Sequence, residues 1–526
     1  MPQIVNFGPL GEFEKKRNTI LSDVVERTVQ EYGRPEAVDF VLSEALFQER
    51  HRLAKSSNSK RIRADKTLWN QIRRGLLKKD GDASKLGLLT KAVAHYAEEI
   101  GGHFNRNVYK FSIRFVPWCF SWLLNAISLG SLWPWAMKKT LDSQLKISGE
   151  VELVRKLSKK GTILLVPTHQ SNVDSIAIGY IISQIGLPPF AYGAGLNLFS
   201  NPILGFFMSN LGAYTVDRQK RNPLYISALK NYSARILREG VHTIFYPGGG
   251  RSRNGAVESH LKLGLLGTGL QAQIDNLKSG KPDHKIYVVP MTTSYHFVLE
   301  ASSLIDEYLA SRGGSRFIPV DGEDPWLMIR AVRFFWKLFA AESEVAVRLA
   351  RPLDVFGNPV DDDGESVGPN GTKINIGAWL TTNGKLCADR DRDAQYTRDL
   401  GSAIVKSYFK ENTILSSHLV AFAAFRALRR KNSKLELYHF LRLPEPERTL
   451  THKELMKEAE MLLDEVRLLH NQKELYLLKE LRECKDLKWV KDGVRKLGLF
   501  HTHSILKSTD GHFVVTDMKA EIIKLT

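Results

Sequence analysis

Thr162-Ile163-Leu164-Leu165-Val166-Pro167-Thr168-His169-Gln170-Ser171-Asn172-Val173-Asp174 changes character twice within thirteen residues. The first six form a short apolar run, the pattern of a strand buried on both faces. A polar loop follows, and a helix is predicted from about Val173. Strand, loop and helix in that order open an α/β unit. The pattern continues downstream. A strand precedes Gly193, and Ala213–Val216 reads as a strand ending in Asp217-Arg218. Asn222-Pro223 makes a cap and first-turn pair for a helix with Tyr225, Leu229, Tyr232 and Ile236 on one face, stopping at Gly240. Val241–Tyr246 and Lys285–Pro290 are two further predicted strands. The predicted fold class is α/β, a mixed sheet with flanking helices over residues 146–385. Ligands of such sheets bind off the carboxyl ends of the strands. The loops beginning at Thr168, Asp217, Pro247 and Pro290 are therefore predicted to share one rim.

The flanks read differently. Residues 1–145 are predicted helical, with apolar positions at helical spacing over Glu12–Tyr32 and Ala37–Lys55. Lys60, Arg61, Arg63, Arg73, Arg74, Lys78 and Lys79 form a basic stretch, read as a solvated face or loop, or as a contact for anionic lipid or an acidic carrier protein. Phe115–Met137 is the one long uncharged run. Its 23 residues are just enough to span a bilayer, but Pro117, Pro134 and four tryptophans favour an interfacial segment or a buried one over a straight span. Asp361–Thr372 is predicted as an acidic surface loop. Residues 386–526 form a predicted helical C-terminal domain. In it Ser416-Ser417 cap Leu419–Arg430, Thr451 and Glu454 make a capping box before Leu455–Leu469, and Phe500–Val515 closes as a hairpin.

A chain of 526 residues, 43% hydrophobic and 25% charged, is a folded protein of two to four domains rather than a disordered or collagen-like one. Mean hydropathy of −0.22 excludes a polytopic membrane protein. The net charge of +18 implies an anionic partner: nucleic acid, an acidic membrane surface or a phosphorylated substrate. Cys119, Cys387 and Cys484 are far apart, which argues against a disulfide scaffold or a zinc site and for a reducing compartment. Met1–Arg17 carries early charges and no apolar core, unlike a secretory signal.

Four elements carry chemistry. His169 follows the buried strand and Asp174 falls in the next helix's first turn, so the carboxylate can fold back onto the imidazole, fix its tautomer and leave the other nitrogen as a general base. An ordinary helix start gives the same Ser171-x-x-Asp174 spacing. Gly248-Gly249-Gly250-Arg251-Ser252-Arg253 lets backbone approach a ligand, with two forked donors suited to a phosphate; without Gly-Lys-Ser/Thr it is not a nucleotide P-loop. A flexible turn would look the same. Arg218 is either a second phosphate clamp or one of a basic cluster with Lys220 and Arg221. Val288-Val289-Pro290 ends an apolar strand, as core or as the wall of an acyl channel.

In this order the four elements resemble the sequence blocks of the glycerolipid acyltransferases. His169 and Asp174 match His-x-x-x-x-Asp; Gly212–Arg218 matches the second block, an apolar strand ending in Arg. Pro247–Arg253 matches Pro-Glu-Gly-x-Arg-Ser-Arg, and Val288-Val289-Pro290 matches the fourth. Lys262-x-Gly264-Leu265-Leu266 and Ser416–Ala421 resemble the glycerol-3-phosphate branch. Two positions depart from the pattern. Gly248 stands where the third block has Glu, an acid that helps hold the acceptor pocket together, and Gln170 and Asn172 replace the Arg and His of that branch.

The resemblance implies acyl transfer from acyl-CoA or acyl carrier protein to the sn-1 hydroxyl of glycerol-3-phosphate, in phospholipid synthesis. Dihydroxyacetone phosphate or lysophosphatidate as acceptor, and an inactive lipid-binding relative, are the alternatives. It implies His169 and Asp174 as the catalytic pair. Arg218, Gly249, Gly250, Arg251, Ser252 and Arg253 would bind substrate, with the glycine-turn N–H groups holding the phosphate or the oxyanion. It implies no metal, no cofactor beyond the acyl donor, and a peripheral or monotopic place on the cytoplasmic side of an anionic membrane. A winged helix built from the C-terminal helices and hairpin would instead bind nucleic acid; that reading leaves the four blocks unexplained, and no nucleic-acid partner is expected.

Overall fold

A computed structural model describes residues 6–56, 59–78, 82–114, 145–171, 174–199, 202–253, 255–281, 284–296, 298, 304, 344–440, 443–498, 506–509 and 512–515. Phe115–Met137 lies outside the described residues, as do Asn172, Val173, Asn254 and parts of the closing hairpin. Among the described residues no helix is long and apolar enough to cross a membrane.

Seven strands form one mixed sheet. They are β1 (Leu145–Gly149), β2 (Thr162–Pro167), β3 (Ala191–Gly195), β4 (Ala213–Val216), β5 (Thr243–Ile244), β6 (Ile286–Tyr295) and β7 (Val345–Leu349). The order is β1-β7-β6-β2-β5-β3-β4. β2 to β6 run in one direction; β7 is antiparallel to β6, and β1 is parallel to β7. β2 is central and buried at every residue, which is why it reads as an uninterrupted apolar run. Its alternation divides the core. Ile163 and Leu165 meet Ile178, Ile181 and Ile182 of α5 (Asp174–Gln184). Leu164 and Val166 share the opposite core with Leu266 and Leu270 of α7 (Leu263–Lys278) and with Leu400, Ile404 and Tyr408 of α8 (Arg390–Glu411).

The N-terminal helices are α1 (Phe13–Tyr32), α2 (Pro35–Ala54), α3 (Lys60–Leu77) and α4 (Asp82–Ile100). They pack onto α6 (Pro223–Arg238), where Ile20, Val24, Leu42, Trp69, Val93 and Tyr96 join Tyr225, Tyr232 and Ile236 in one core. Asn222 caps α6 as predicted, accepting from Tyr225 N–H at 3.0 Å. Lys60 to Arg74 of the basic stretch lie on the helix α3, with Arg63, Arg73 and Arg74 exposed, so the stretch is a solvated helix face rather than a loop; Lys79 lies outside the described residues. Ser59 caps α3, Leu68, Trp69 and Ile72 bury one side, and Arg61 pairs with Glu99.

Three strand boundaries differ from the sequence reading. β3 runs through Gly193, where the Tyr214 ring lies 3.2 Å from the position a Cβ would take. β5 is only two residues long, because the chain enters the glycine turn. Pro290 does not end β6. It pairs with Val166 in mid-strand, and the strand continues to Tyr295. The proline is tolerated because it sits where β6 changes neighbour, between the Val288–Leu353 bridge and the Met291–Leu349 pair. The fourth block is thus core strand, and no rim loop begins at Pro290.

A separate core forms around α9 (Ser416–Lys431), α10 (His452–Asn471) and α11 (Lys488–Gly498). Beside them a small antiparallel sheet has the order β8 (Thr449–Thr451), β10 (His512–Val515), β9 (Leu506–Thr509). The Thr451–Glu454 capping box is present. Ser416 and Ser417 do not precede α9 as caps; they are inside it, after Leu415. The buried Ser417 hydroxyl donates instead to the His296 carbonyl at 3.0 Å. This helix–strand–helix–helix–hairpin order is that of a winged helix. Its third helix, α11, buries one face, with Gly493 against Ser416 and Lys496 paired with Asp492, and leaves Lys488, Lys491 and Arg495 exposed on the other.

Candidate active site

β2 delivers His169 to the rim, and the loop after it is short enough for α5 to begin at Asp174. The Asp174 side chain is fully buried. Its Oδ2 accepts from the Gln170 and Ser171 N–H groups at 2.7 and 2.9 Å and contacts His169 Nδ1 at 2.9 Å. Its Oδ1 accepts from the Tyr295 hydroxyl at 2.6 Å. With two backbone N–H groups and a phenol donating to it, this carboxylate acts as an acceptor at each of its contacts. Nδ1 must therefore carry the ring proton, which leaves the Nε2 lone pair free. Among the described residues Nε2 has no hydrogen-bond partner, and the His169 side chain is 16% exposed. Asp174 thus ties down the loop as a helix-start acid and also orients the imidazole; the two readings of its spacing hold together.

The third block closes around the same histidine. Ser252 N–H donates to the His169 carbonyl at 2.7 Å, and Glu258 Oε1 accepts from His169 N–H at 2.7 Å. The Tyr246 ring lies against the imidazole, centroids 4.3 Å apart and planes at 31°. Burial pushes the Tyr246 phenol well above its usual range, keeping it neutral. Gly249 has φ +70°, and a Cβ there would strike the Lys262 side chain at 2.5 Å, so an ammonium-bearing chain lies across the turn. Gly250 borders open space. The Ser252 hydroxyl donates to the Ala256 carbonyl at 2.9 Å, clasping the loop. Arg251 is half-buried and Arg253 exposed.

Arg218 is exposed at the end of β4, on the same rim but not beside His169. β5 and β3 intervene, three strand spacings or roughly 14 Å. Its loop is anchored from behind. Lys220, 3% exposed, reaches Glu99 at 2.5 Å and Asp65 at 3.3 Å. Arg52 also pairs with Asp65, and His95 Nε2 meets it at 2.7 Å. These partners overcome burial and hold the Asp65 carboxyl well below the usual range. Asp65, His95 and Glu99 converge as metal ligands would, but the cation among them is the Lys220 ammonium.

The structure therefore brings His169, Asp174 and the 249–253 turn together and sets Arg218 three strands away. Tyr246, Glu258 and Tyr295 belong to the site without having been singled out, and Lys262, noted only as part of a branch resemblance, lies across the glycine turn. Tyr246 immediately precedes the third block. Tyr295 needed β6 to outrun Pro290. Glu258 had one sequence signal, an acid in the loop of a block that lacks its own.

A family model described as Acyltransferase matches residues 148–294, the span from β1 to the end of β6. The glycerol-3-phosphate acyltransferase of Aeromonas hydrophila is 28% identical over 219 residues, 41% of this chain and 24% of the relative. That of Pseudoalteromonas translucida is 29% identical over 211 residues, 40% and 23% of the two chains. That of Pasteurella multocida is 27% identical over 246 residues, 46% and 26%. The chain thus spans about a quarter of the length of these curated relatives. Residues 148–294, which carry the four blocks in order on one sheet, thus match the Acyltransferase family model and are similar to the glycerol-3-phosphate acyltransferases of these organisms.

Proposed function

We propose that this chain transfers a fatty acyl group from acyl-CoA or acyl carrier protein to the sn-1 hydroxyl of glycerol-3-phosphate. The observation that carries the reading is the His169 Nε2 lone pair, freed by the Nδ1–Asp174 bond on a side chain that is 16% exposed. Nε2 takes the hydroxyl proton as the acceptor oxygen attacks the thioester carbonyl. The oxyanion then collapses, the carbon–sulfur bond breaks, and the imidazolium returns the proton to the leaving thiolate. General base catalysis of this kind contributes about 10²–10⁴-fold. Asp174 steadies the imidazolium. Arg251, Arg253, Lys262 and, from across the rim, Arg218 would draw in the acceptor phosphate, and N–H groups of the glycine turn would stabilise the oxyanion. The net charge of +18 and the exposed Arg63, Arg73 and Arg74 of α3 support docking on the cytoplasmic face of an anionic membrane. No step needs a metal or a further cofactor.

The test offers purified protein a long-chain acyl-CoA or acyl carrier protein, with glycerol-3-phosphate, dihydroxyacetone phosphate and lysophosphatidate in separate reactions. Turnover with glycerol-3-phosphate that His169→Ala abolishes is the expected result. Turnover with another acceptor alone reassigns the substrate. No turnover with any pair overturns the reading in favour of an inactive lipid-binding relative.

A further inference from the structure

Gly248 has an ordinary backbone conformation that any residue adopts; only Gly249 beside it has positive φ. The space beside Gly248 is not empty. A Cβ built there would lie 2.9 Å from Glu258 Cγ and 3.2 Å from Glu258 Oε1. The side chain of Glu258 therefore occupies the volume into which a residue at 248 would project. It does so with a carboxyl group, in a block whose related sequences carry Glu at 248.

That carboxyl group is not idle. Oε1 accepts from His169 N–H at 2.7 Å, while Ser252 N–H grips the carbonyl of the same residue. The backbone of His169 is thus fixed from both sides by the third-block loop, just as its ring is fixed by Asp174. Oε2 is buried and has no hydrogen-bond partner among the described residues. A buried carboxylate oxygen without a partner is destabilising, so folding alone does not account for keeping an acid here.

We propose that Glu258 is a positioning residue that replaces the acid missing at 248, its carboxyl reaching the same place from ten residues further along the chain and holding the backbone of His169 in register with the acyl carbonyl. Gly248 is then a requirement of the exchange and not a defect, because a side chain at 248 and the carboxyl of Glu258 cannot share the space. Burial pushes Glu258 up to about 7, against the lowering effect of the His169 and Glu258 N–H groups, so neutral and charged forms both occur near neutrality and either accepts the His169 hydrogen bond. This inference rests on the acyl-transfer reading for its kinetic half only.

The experiment is a reciprocal exchange in the full chain. E258A is expected to lower kcat about 10²-fold, the scale of a misplaced catalytic group, with KM for acyl-CoA little changed. E258Q keeps an acceptor for His169 N–H and is expected to stay within a few-fold of wild type. G248E alone places two acids in one volume, and should lower both kcat and Tm. G248E/E258A should recover most of the lost activity and melt above G248E. Full activity of E258A, or a double variant no better than either single one, overturns the proposal. The melting cycle needs no substrate. An inactive wild type would overturn acyl transfer, while the two sites are still judged by Tm: non-additive shifts support the exchange, and additive shifts overturn it.

Discussion

Tyr295 donates its hydroxyl to Asp174 Oδ1 at 2.6 Å from the last residue of β6, and its own carbonyl accepts from His418 Nε2 at 2.8 Å. The orientation of the candidate base thus depends on a strand end that is held in turn by the first turn of α9. Ser417 reinforces the junction by bonding to the next residue, His296, at 3.0 Å. The Ser416–His418 segment thereby connects the C-terminal core to the carboxylate behind His169.

Tyr295→Phe should lower kcat by about tenfold while leaving KM for both substrates nearly unchanged. It removes one acceptor contact from a fully buried carboxylate, an effect of about 1–3 kcal/mol. Steady-state kinetics check this, and unchanged kcat would show that the phenol does not support Asp174.

Asp174→Asn is nearly isosteric, yet its amide can present a donor to Nδ1. The imidazole would then shift its proton to Nε2 and lose its basic lone pair. A loss of about 10²–10⁴-fold in kcat with native-like circular dichroism is expected. Activity at high pH should not recover, because the defect is a tautomer and not a titration.

Lys220→Met and Arg218→Ala should separate anchoring from binding. Lys220 is a buried cation between Glu99 and Asp65, so its removal leaves uncompensated buried charge and should cost about 3–5 kcal/mol of stability. Arg218 is exposed, and its removal should leave Tm unchanged. If it clamps the acceptor phosphate, KM for that acceptor should rise roughly tenfold or more, the worth of one hydrogen bond to a charged group.

Two buried groups give stability profiles of opposite sign. Burial lowers His242 from 6.5 to about 4, and its Nδ1 accepts from Ile163 N–H at 3.0 Å. The unfolded chain binds this proton first, so stability present above pH 6.5 is lost as pH falls toward 4, on the order of 3 kcal/mol. Glu258 is raised, so there the native state binds the proton first, and stability falls as pH rises from 4.5 toward 7. Denaturant melts from pH 4 to 8 should show a shallower acid loss in His242→Asn and a steeper one in Glu258→Gln.

Much of the site was readable in one dimension because its parts are local. His169 and Asp174 are five residues apart across one strand–helix turn, so the short loop alone brings them together. Gly249 has Arg251 two residues and Arg253 four residues after it, and Asn222-Pro223 announces α6 through cap chemistry within four residues. The readings that failed involved partners distant in sequence. That α3 is a helix and not a loop rests on Leu68, Trp69 and Ile72 packing into a core and on Arg61 pairing with Glu99 of α4, neighbours its own charges do not announce. β6 was cut short at Pro290 because only its change of neighbour at that point makes the proline harmless.

The sequence by itself determined the α/β class, the order of the four blocks, the His169–Asp174 pair and the basic character of the surface. These follow from periodicity, composition and spacing, which act over a few residues. Only the tertiary structure decided that Tyr295 secures Asp174, that Lys220 fills an acidic cluster behind Arg218, and that the carboxyl of Glu258 lies where a side chain at 248 would go. Each is a contact between elements that the sheet order makes neighbours, set by the burial of charge and the exclusion of volume, and neither leaves a periodic trace along the chain.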